Sequence, residues 1–172
     1  MNYITRAVIL TAGLALAACT NPDRFDNGNV TDLNSANSGA GSIAGSASDP
    51  TSSLYFQQSV GDRVLFAVDQ STLSDEAKQV LTAQGAWLAN NSDYNAIIEG
   101  HADEQGTREY NIALGNKRAN AVREFLISRG MSGNRLKVVS YGKERPIEVC
   151  SVEACYAKNR RAVTVLTAGL SG

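Results

Sequence analysis

Between Arg63 and Thr167 the chain alternates between two hydrophobic rhythms, and this alternation limits the folds open to it. Arg63 to Val68 (RVLFAV) reads as a short strand, with Val64 and Phe66 on one face. Ser74 then caps a helix whose first turn carries Asp75 and Glu76, where the helix dipole favours acids. Its apolar positions are Ala77, Val80, Leu81, Trp87 and Leu88, down to Asn90-Asn91. Tyr94 to Ala102 (YNAIIEGHA) is a second strand, expected to be buried at Ile97 and Ile98. A long helix runs from about Glu109 to Ser128, with Gly130 in the C′ position. Arg135 to Tyr141 (RLKVVSY) is a third strand, ended by Gly142. After Pro146 comes a loop with one helical turn near Glu153 to Lys158, then a last strand, Arg161 to Thr167 (RAVTVLT). The order β-α-β-α-β-(short α)-β predicts an α+β sheet layered with helices on one side. Each strand–helix–strand unit should cross over right-handedly, making its two strands a parallel pair. About 115 residues suffice for one core.

The long helix holds an anomaly. Its apolar stripe runs Tyr110, Leu114, Arg118, Val122, with Ala121 and Phe125 beside it. Four-residue steps keep one face, so a permanent cation sits between two apolar residues. Burying an unpaired guanidinium is very costly, so Arg118 needs a partner. Asp103 stands in the loop His101-Ala102-Asp103-Glu104-Gln105-Gly106, where Gly106 permits a tight turn, and that loop doubles back toward the helix. Asp69 ends the first strand and can reach the same rim. Two readings are open. One is a structural ion pair, Arg118 with Asp103. The other is a ligand site: arginine offers a planar fork to a carboxylate and aspartate accepts from an ammonium, which together suit a zwitterion. Spacing alone does not separate them.

The amino end has a different character. In MNYITRAVILTAGLALAACT one cation, Arg6, precedes an apolar run from Ala7 to Ala18. A membrane-spanning helix needs ~20 apolar residues, so residues 1–18 read as a secretory signal. Leu16-Ala17-Ala18-Cys19 resembles a bacterial lipobox, in which the cysteine is acylated and begins the mature chain; ordinary cleavage after Ala15-Leu16-Ala17 is the alternative. Acyl chains contribute ~0.8 kcal/mol per buried CH₂, and two or more anchor stably. Thr20, where an aspartate would resemble an inner-membrane retention signal, favours the outer membrane. Residues 19–53 are mostly Asn, Ser, Gly, Ala and Asp and read as a tether, with a short helix open at Phe25 to Leu33. Such a tether has an r.m.s. span of about 30 Å and stretches to roughly 110 Å. Residues 54–172 are the folded domain.

Three cysteines are an odd number for an exported protein. With Cys19 acylated, Cys150 and Cys155 remain, and an oxidising periplasm permits a disulfide between them; two free thiols are the alternative. The net charge of −1, without basic runs, points to no nucleic-acid partner. His101 is the only histidine, which excludes multi-histidine metal sites and two-histidine catalysis. No serine or cysteine nucleophile is paired with it in a motif, so it reads as structural, hydrogen-bonded at the strand end. Three close ligands at His101, Asp103 and Glu104 are a thin basis for a metal, and no metal or cofactor is expected. Asn159-Arg160-Arg161 is read as capping the short helix and pairing with acids at the sheet edge, and Trp87 and Phe125 as core.

Phe66-x-x-Asp69, Gly100-His101-Ala102-Asp103-x-x-Gly106-Thr107, Tyr110-Asn111-x-x-Leu114, Lys117-Arg118-Ala119, Tyr141-Gly142-Lys143-x-x-Pro146 and Asn159-Arg160-Arg161 together resemble the outer-membrane-protein-A-like C-terminal domain. With lipobox and tether, the whole chain resembles the peptidoglycan-associated lipoproteins of the Tol–Pal system. The resemblance implies a four-stranded mixed sheet with helices on one face. It implies a non-enzymatic outer-membrane lipoprotein, its domain in the periplasm, binding the meso-diaminopimelate of the peptidoglycan peptide stem in envelope integrity and cell division. Asp103 matches the family aspartate for the ammonium and Arg118 the arginine for the carboxylate, at the family spacing of 15 residues. Asp69 matches a further binding aspartate and Leu114 a wall residue. The implied partners are peptidoglycan, the β-propeller protein TolB and other Tol proteins, and outer-membrane lipid through acylated Cys19. The alternative is a lipoprotein with the same domain serving a secretion or barrel-assembly machine. Leu65 and Val68 depart from the family, standing where many relatives carry aromatics.

Overall fold

The computed structural model describes residues 45–168; the signal segment, Cys19 and the Phe25–Leu33 stretch lie outside them. In chain order the elements are α1 (Ser53–Tyr55), which continues as a π-helical turn over Phe56–Gly61, β1 (Arg63–Leu65), α2 (Asp75–Asn90), β2 (Tyr94–His101), α3 (Arg108–Ser128), a 3₁₀ turn (Gly133–Arg135), β3 (Leu136–Gly142), α4 (Glu153–Asn159) and β4 (Arg161–Ala168).

The helices begin where capping chemistry puts them. The Ser74 hydroxyl accepts from the Ala77 amide at 3.1 Å, and the Thr107 hydroxyl from the Tyr110 amide at 3.2 Å. At the far end of α3, Gly130 takes φ +94° and its amide bonds to the Ile127 carbonyl. The buried faces are Ala77, Leu81, Gln84, Gly85, Trp87 and Leu88 on α2, and Asn111, Leu114, Gly115, Arg118, Ala119, Val122 and Leu126 on α3. From these faces Ala77, Leu81, Trp87, Leu88, Ala119, Val122 and Leu126 join Phe56, Val64, Phe66, Ala96 and Ile98 in one core, to which each large aliphatic side chain contributes about 1.5–3 kcal/mol. Trp87 lies within it, and Phe125 packs against it half-buried.

The sheet order is β1-β4-β2-β3, with β2 parallel to β3 and β4 antiparallel to both β1 and β2. The fold is thus α+β, a mixed four-stranded sheet with α2 and α3 on one face. Two sequence expectations need correction. β1 and β2 run the same way but are not neighbours, because β4 inserts between them. On β2, Ala96 and Ile98 are buried and Ile97 only half so, since alternate residues point to the open face. That open face leaves Leu65 at 51% exposure.

β1 is shorter than its apolar run. After Phe66, whose amide donates to the Arg160 carbonyl at 2.9 Å, the chain turns through Ala67–Gln70 with Asp69 at φ +57°. Conversely, folded structure starts ahead of residue 54. Asp49 accepts from the Gly45 and Thr51 amides, Ser52 is buried, and the Pro50 carbonyl accepts from the Trp87 indole N–H at 2.7 Å. A buried indole needs an acceptor, and this polar turn supplies it.

Candidate functional site

The site lies where β2 ends and α3 crosses it. That crossing is glycine on glycine: a Cβ at Gly100 would fall 1.8 Å from the Gly115 carbonyl oxygen, and one at Gly115 would fall 2.4 Å from the Ser140 Oγ. Bare backbone on both sides lets α3 lie directly on β2. One turn further along α3, Arg118 therefore arrives over the strand end.

Arg118 is fully buried, and its partners are backbone carbonyls rather than an acid. Nε donates to Gln70 O at 2.8 Å, Nη1 to His101 O at 2.8 Å and Nη2 to Ala67 O at 3.2 Å. Its guanidinium also lies 5.2 Å from the Phe66 ring centroid. A guanidinium has five N–H donors, and these contacts engage three of them. Burial, with Arg160 as a nearby like charge, lowers its pKa to about 10, against the pull of Asp103 and Asp69. It remains a cation at neutral pH.

Asp103 does not make the ion pair that the structural reading required. Its Oδ2 accepts from Arg160 Nη1 at 3.2 Å and its Oδ1 from the Gln105 amide at 3.3 Å. The structural reading of an Arg118–Asp103 bridge is corrected: each charge has its own support, and they remain separate poles. Asp69 accepts from the Tyr110 hydroxyl across 41 residues of sequence, which raises the Tyr110 pKa. Tyr110, read from sequence as part of the apolar stripe, is half exposed.

Asp69, Asp103, Leu114 and Arg118 line one pocket of about 280 Å³, together with Val68, Gln105, Gly106, Tyr110 and Asn111. Its floor is cationic and its walls carry two carboxylates. The Asp103 loop is pinned from three sides: Asn111 Nδ2 donates to Gln105 O at 2.7 Å, Lys143 Nζ to Gly106 O at 2.7 Å, and Asn159 Nδ2 to Glu104 Oε1 at 2.7 Å. Sequence reasoning missed Gln105 and Asn111 as lining residues and Arg160 as the partner of Asp103. The Asn159-Arg160-Arg161 motif carried the only signal for the last.

Residues 65–160, more than half of the chain, match the OmpA family. The peptidoglycan-associated lipoprotein of Brucella melitensis is 46% identical over 160 residues, 93% of this chain and 90% of that one. The protein of the same name from Rhizobium meliloti is 46% identical over 165 residues, 96% of this chain and 88% of that one. This chain belongs to the peptidoglycan-associated lipoproteins of the OmpA family. Among solved structures, the peptidoglycan-associated lipoprotein of Burkholderia pseudomallei superposes with a TM-score of 0.63 at 36% identity, covering 70% of this chain and 98% of that one. The span matched to the OmpA family contains every residue of the pocket and stops one residue before β4.

The remaining candidates of this OmpA-family chain lie outside the pocket. His101 is buried with neither ring nitrogen hydrogen-bonded, which corrects the expected strand-end hydrogen bond. Its ring stacks on Tyr141 at 5.6 Å, and burial, aided by Arg161 and Arg145, lowers its pKa to about 4. Its contribution to the site is its carbonyl, which holds Arg118. Cys150 and Cys155 are joined as a disulfide, with Cα atoms 6.0 Å apart. Leu65 and Val68 are exposed, and only Val68 reaches the pocket. Among the described residues no helix is long and apolar enough to cross a membrane.

Proposed function

We propose that the domain binds peptidoglycan without covalent chemistry, gripping the meso-diaminopimelate of the peptide stem. In this reading the ligand carboxylate takes the two guanidinium N–H donors of Arg118 that the backbone leaves over. The ligand ammonium sits between Asp103 and Asp69, with Leu114 against its carbon chain. The observation carrying the reading is a buried guanidinium with spare donors beneath a pocket whose walls bear two carboxylates. The names of the relatives support the same ligand class.

The wider role follows from joining this grip to an acylated Cys19. The chain is then an outer-membrane lipoprotein whose periplasmic domain tethers membrane to wall. It serves in the Tol–Pal system, with TolB as a second partner, in envelope integrity and cell division. Reversible grip suits a component that must move during constriction.

The test is pelleting with purified diaminopimelate-type peptidoglycan. Asp103→Asn and Arg118→Lys, which keep size and, for the latter, charge, are expected to weaken pelleting about tenfold or more while retaining the parent circular dichroism spectrum. Free diaminopimelic acid is expected to compete with the parent protein. Undiminished pelleting of Asp103→Asn, or release of soluble muropeptides by the parent, would overturn the reading. For the anchor, Cys19→Ser should be recovered free of the membrane fraction; retention there refutes acylation.

A further inference from the structure

Directly behind Asp103 stands a second buried guanidinium, and its arrangement differs from that of Arg118. Arg160 is 4% exposed. Its Nη1 donates to Asp103 Oδ2 at 3.2 Å and to Glu153 Oε2 at 3.3 Å, its Nη2 donates to Glu153 Oε1, and its Nε to the Phe66 carbonyl at 3.2 Å. Its own carbonyl accepts from the Phe66 amide. One residue thus joins the end of β1, the Asp103 loop and the first turn of α4. The Cys150–Cys155 disulfide encloses Glu153, and the Cys155 amide bonds back to the Val152 carbonyl at 3.0 Å, so the turn presenting Glu153 is itself fastened.

The site poses an electrostatic problem that this arrangement answers. Arg118 has two N–H donors left over and Asp103 is an anion lining the same pocket. In a poorly solvated cleft such a pair attracts strongly. Left to themselves, the two would close on each other and neutralise both poles before a ligand arrived. Arg160 offers Asp103 a competing cation on the side away from the pocket, and Glu153 compensates the extra positive charge.

We propose that Arg160, backed by Glu153, is a positioning residue that holds Asp103 apart from Arg118 and so keeps the dipolar site open. The proposal rests on the diaminopimelate reading, since it explains how that reading's two poles coexist. Arg160 acts through Asp103 and does not itself line the pocket.

The experiment is a double-mutant cycle on the full chain, measured by pelleting with diaminopimelate-type peptidoglycan, with thermal midpoints recorded alongside. The proteins are the parent, Asp103→Asn, Arg160→Gln and the double variant. Loss of one charge-assisted contact sets the scale, so each single variant is expected to bind about tenfold more weakly or worse. The double variant is expected to bind no more weakly than Asp103→Asn alone, because Arg160 has nothing left to position. A merely structural role would instead give losses that add in full. Parent-like binding by Arg160→Gln, or full additivity, overturns the proposal alone. Parent-like binding by Asp103→Asn overturns the underlying ligand reading and this proposal with it. Should Arg160→Gln fail to fold, Glu153→Gln replaces it in the same cycle, since that carboxylate is exposed; a smaller loss, absent in the Asp103→Asn background, is expected, and parent-like binding or additivity overturns the proposal.

Discussion

Arg118 supports three backbone carbonyls at once, one from β2 and two from the turn after β1. Removing it strands those acceptors inside the protein and opens a cavity. Arg118→Ala is therefore expected to cost about 3–5 kcal/mol in urea unfolding, the scale for leaving several buried acceptors unsatisfied beside a new cavity. Loss of wall binding in that variant would not distinguish site from scaffold, whereas Arg118→Lys does. Sequence reading singled out this residue because a cation in an apolar stripe is conspicuous, and Asp103 and Asp69 from their place at the same rim; Leu114 came from the family resemblance, and all four line one pocket. Its partners were not legible. A backbone carbonyl leaves no mark in a sequence, and Asp103 and Arg160 are separated by 57 residues that only the folded topology brings together.

At the scale of elements, the α3–β2 crossing has no room for a side chain. Gly115→Ala would press a methyl group to within 2.8 Å of the Gly100 carbonyl oxygen as well as onto Ser140. α3 should lift from β2, with a cost of about 1–3 kcal/mol in urea unfolding and weaker wall pelleting from a displaced Arg118. The second prediction concerns α4. The Cys150–Cys155 loop is short, and closing it is worth about 2 kcal/mol in the chain-entropy account. Cys150→Ser/Cys155→Ser should lower the thermal midpoint and speed amide exchange in α4 while leaving α3 protected. Caps, periodicity and glycine stops placed both long helices to within a residue or two, whereas the helical segment Ser53–Gly61, too short for a periodic pattern, was not read from the sequence. Neighbour relations were not legible either, because periodicity reports which face a residue presents and says nothing about which strand lies alongside.

For the whole molecule, buried His101 sets a pH dependence. Burial holds it neutral, with a folded pKa of about 4 against an ordinary 6.5. Above the ordinary value both folded and unfolded chains carry it uncharged, and it costs nothing. As pH falls below that value the unfolded chain takes up a proton that the folded chain refuses, so stability declines until the folded pKa is reached. The full loss is about 3 kcal/mol. His101→Phe should flatten the fall in urea midpoint between about pH 7 and pH 5; an unchanged slope would assign it to other groups. The sheet order has a consequence for how such a molecule comes into being. Arg161–Ala168 follows the other described strands in the sequence yet lies inside the sheet, and β1 touches the rest of the sheet only through it. A polypeptide delivered amino end first must therefore wait, its first strand without a neighbour, until that segment emerges. Completion is governed by arrival: a nascent product cut off before Arg161 would keep the β2–β3 pair and leave β1 with nothing to join.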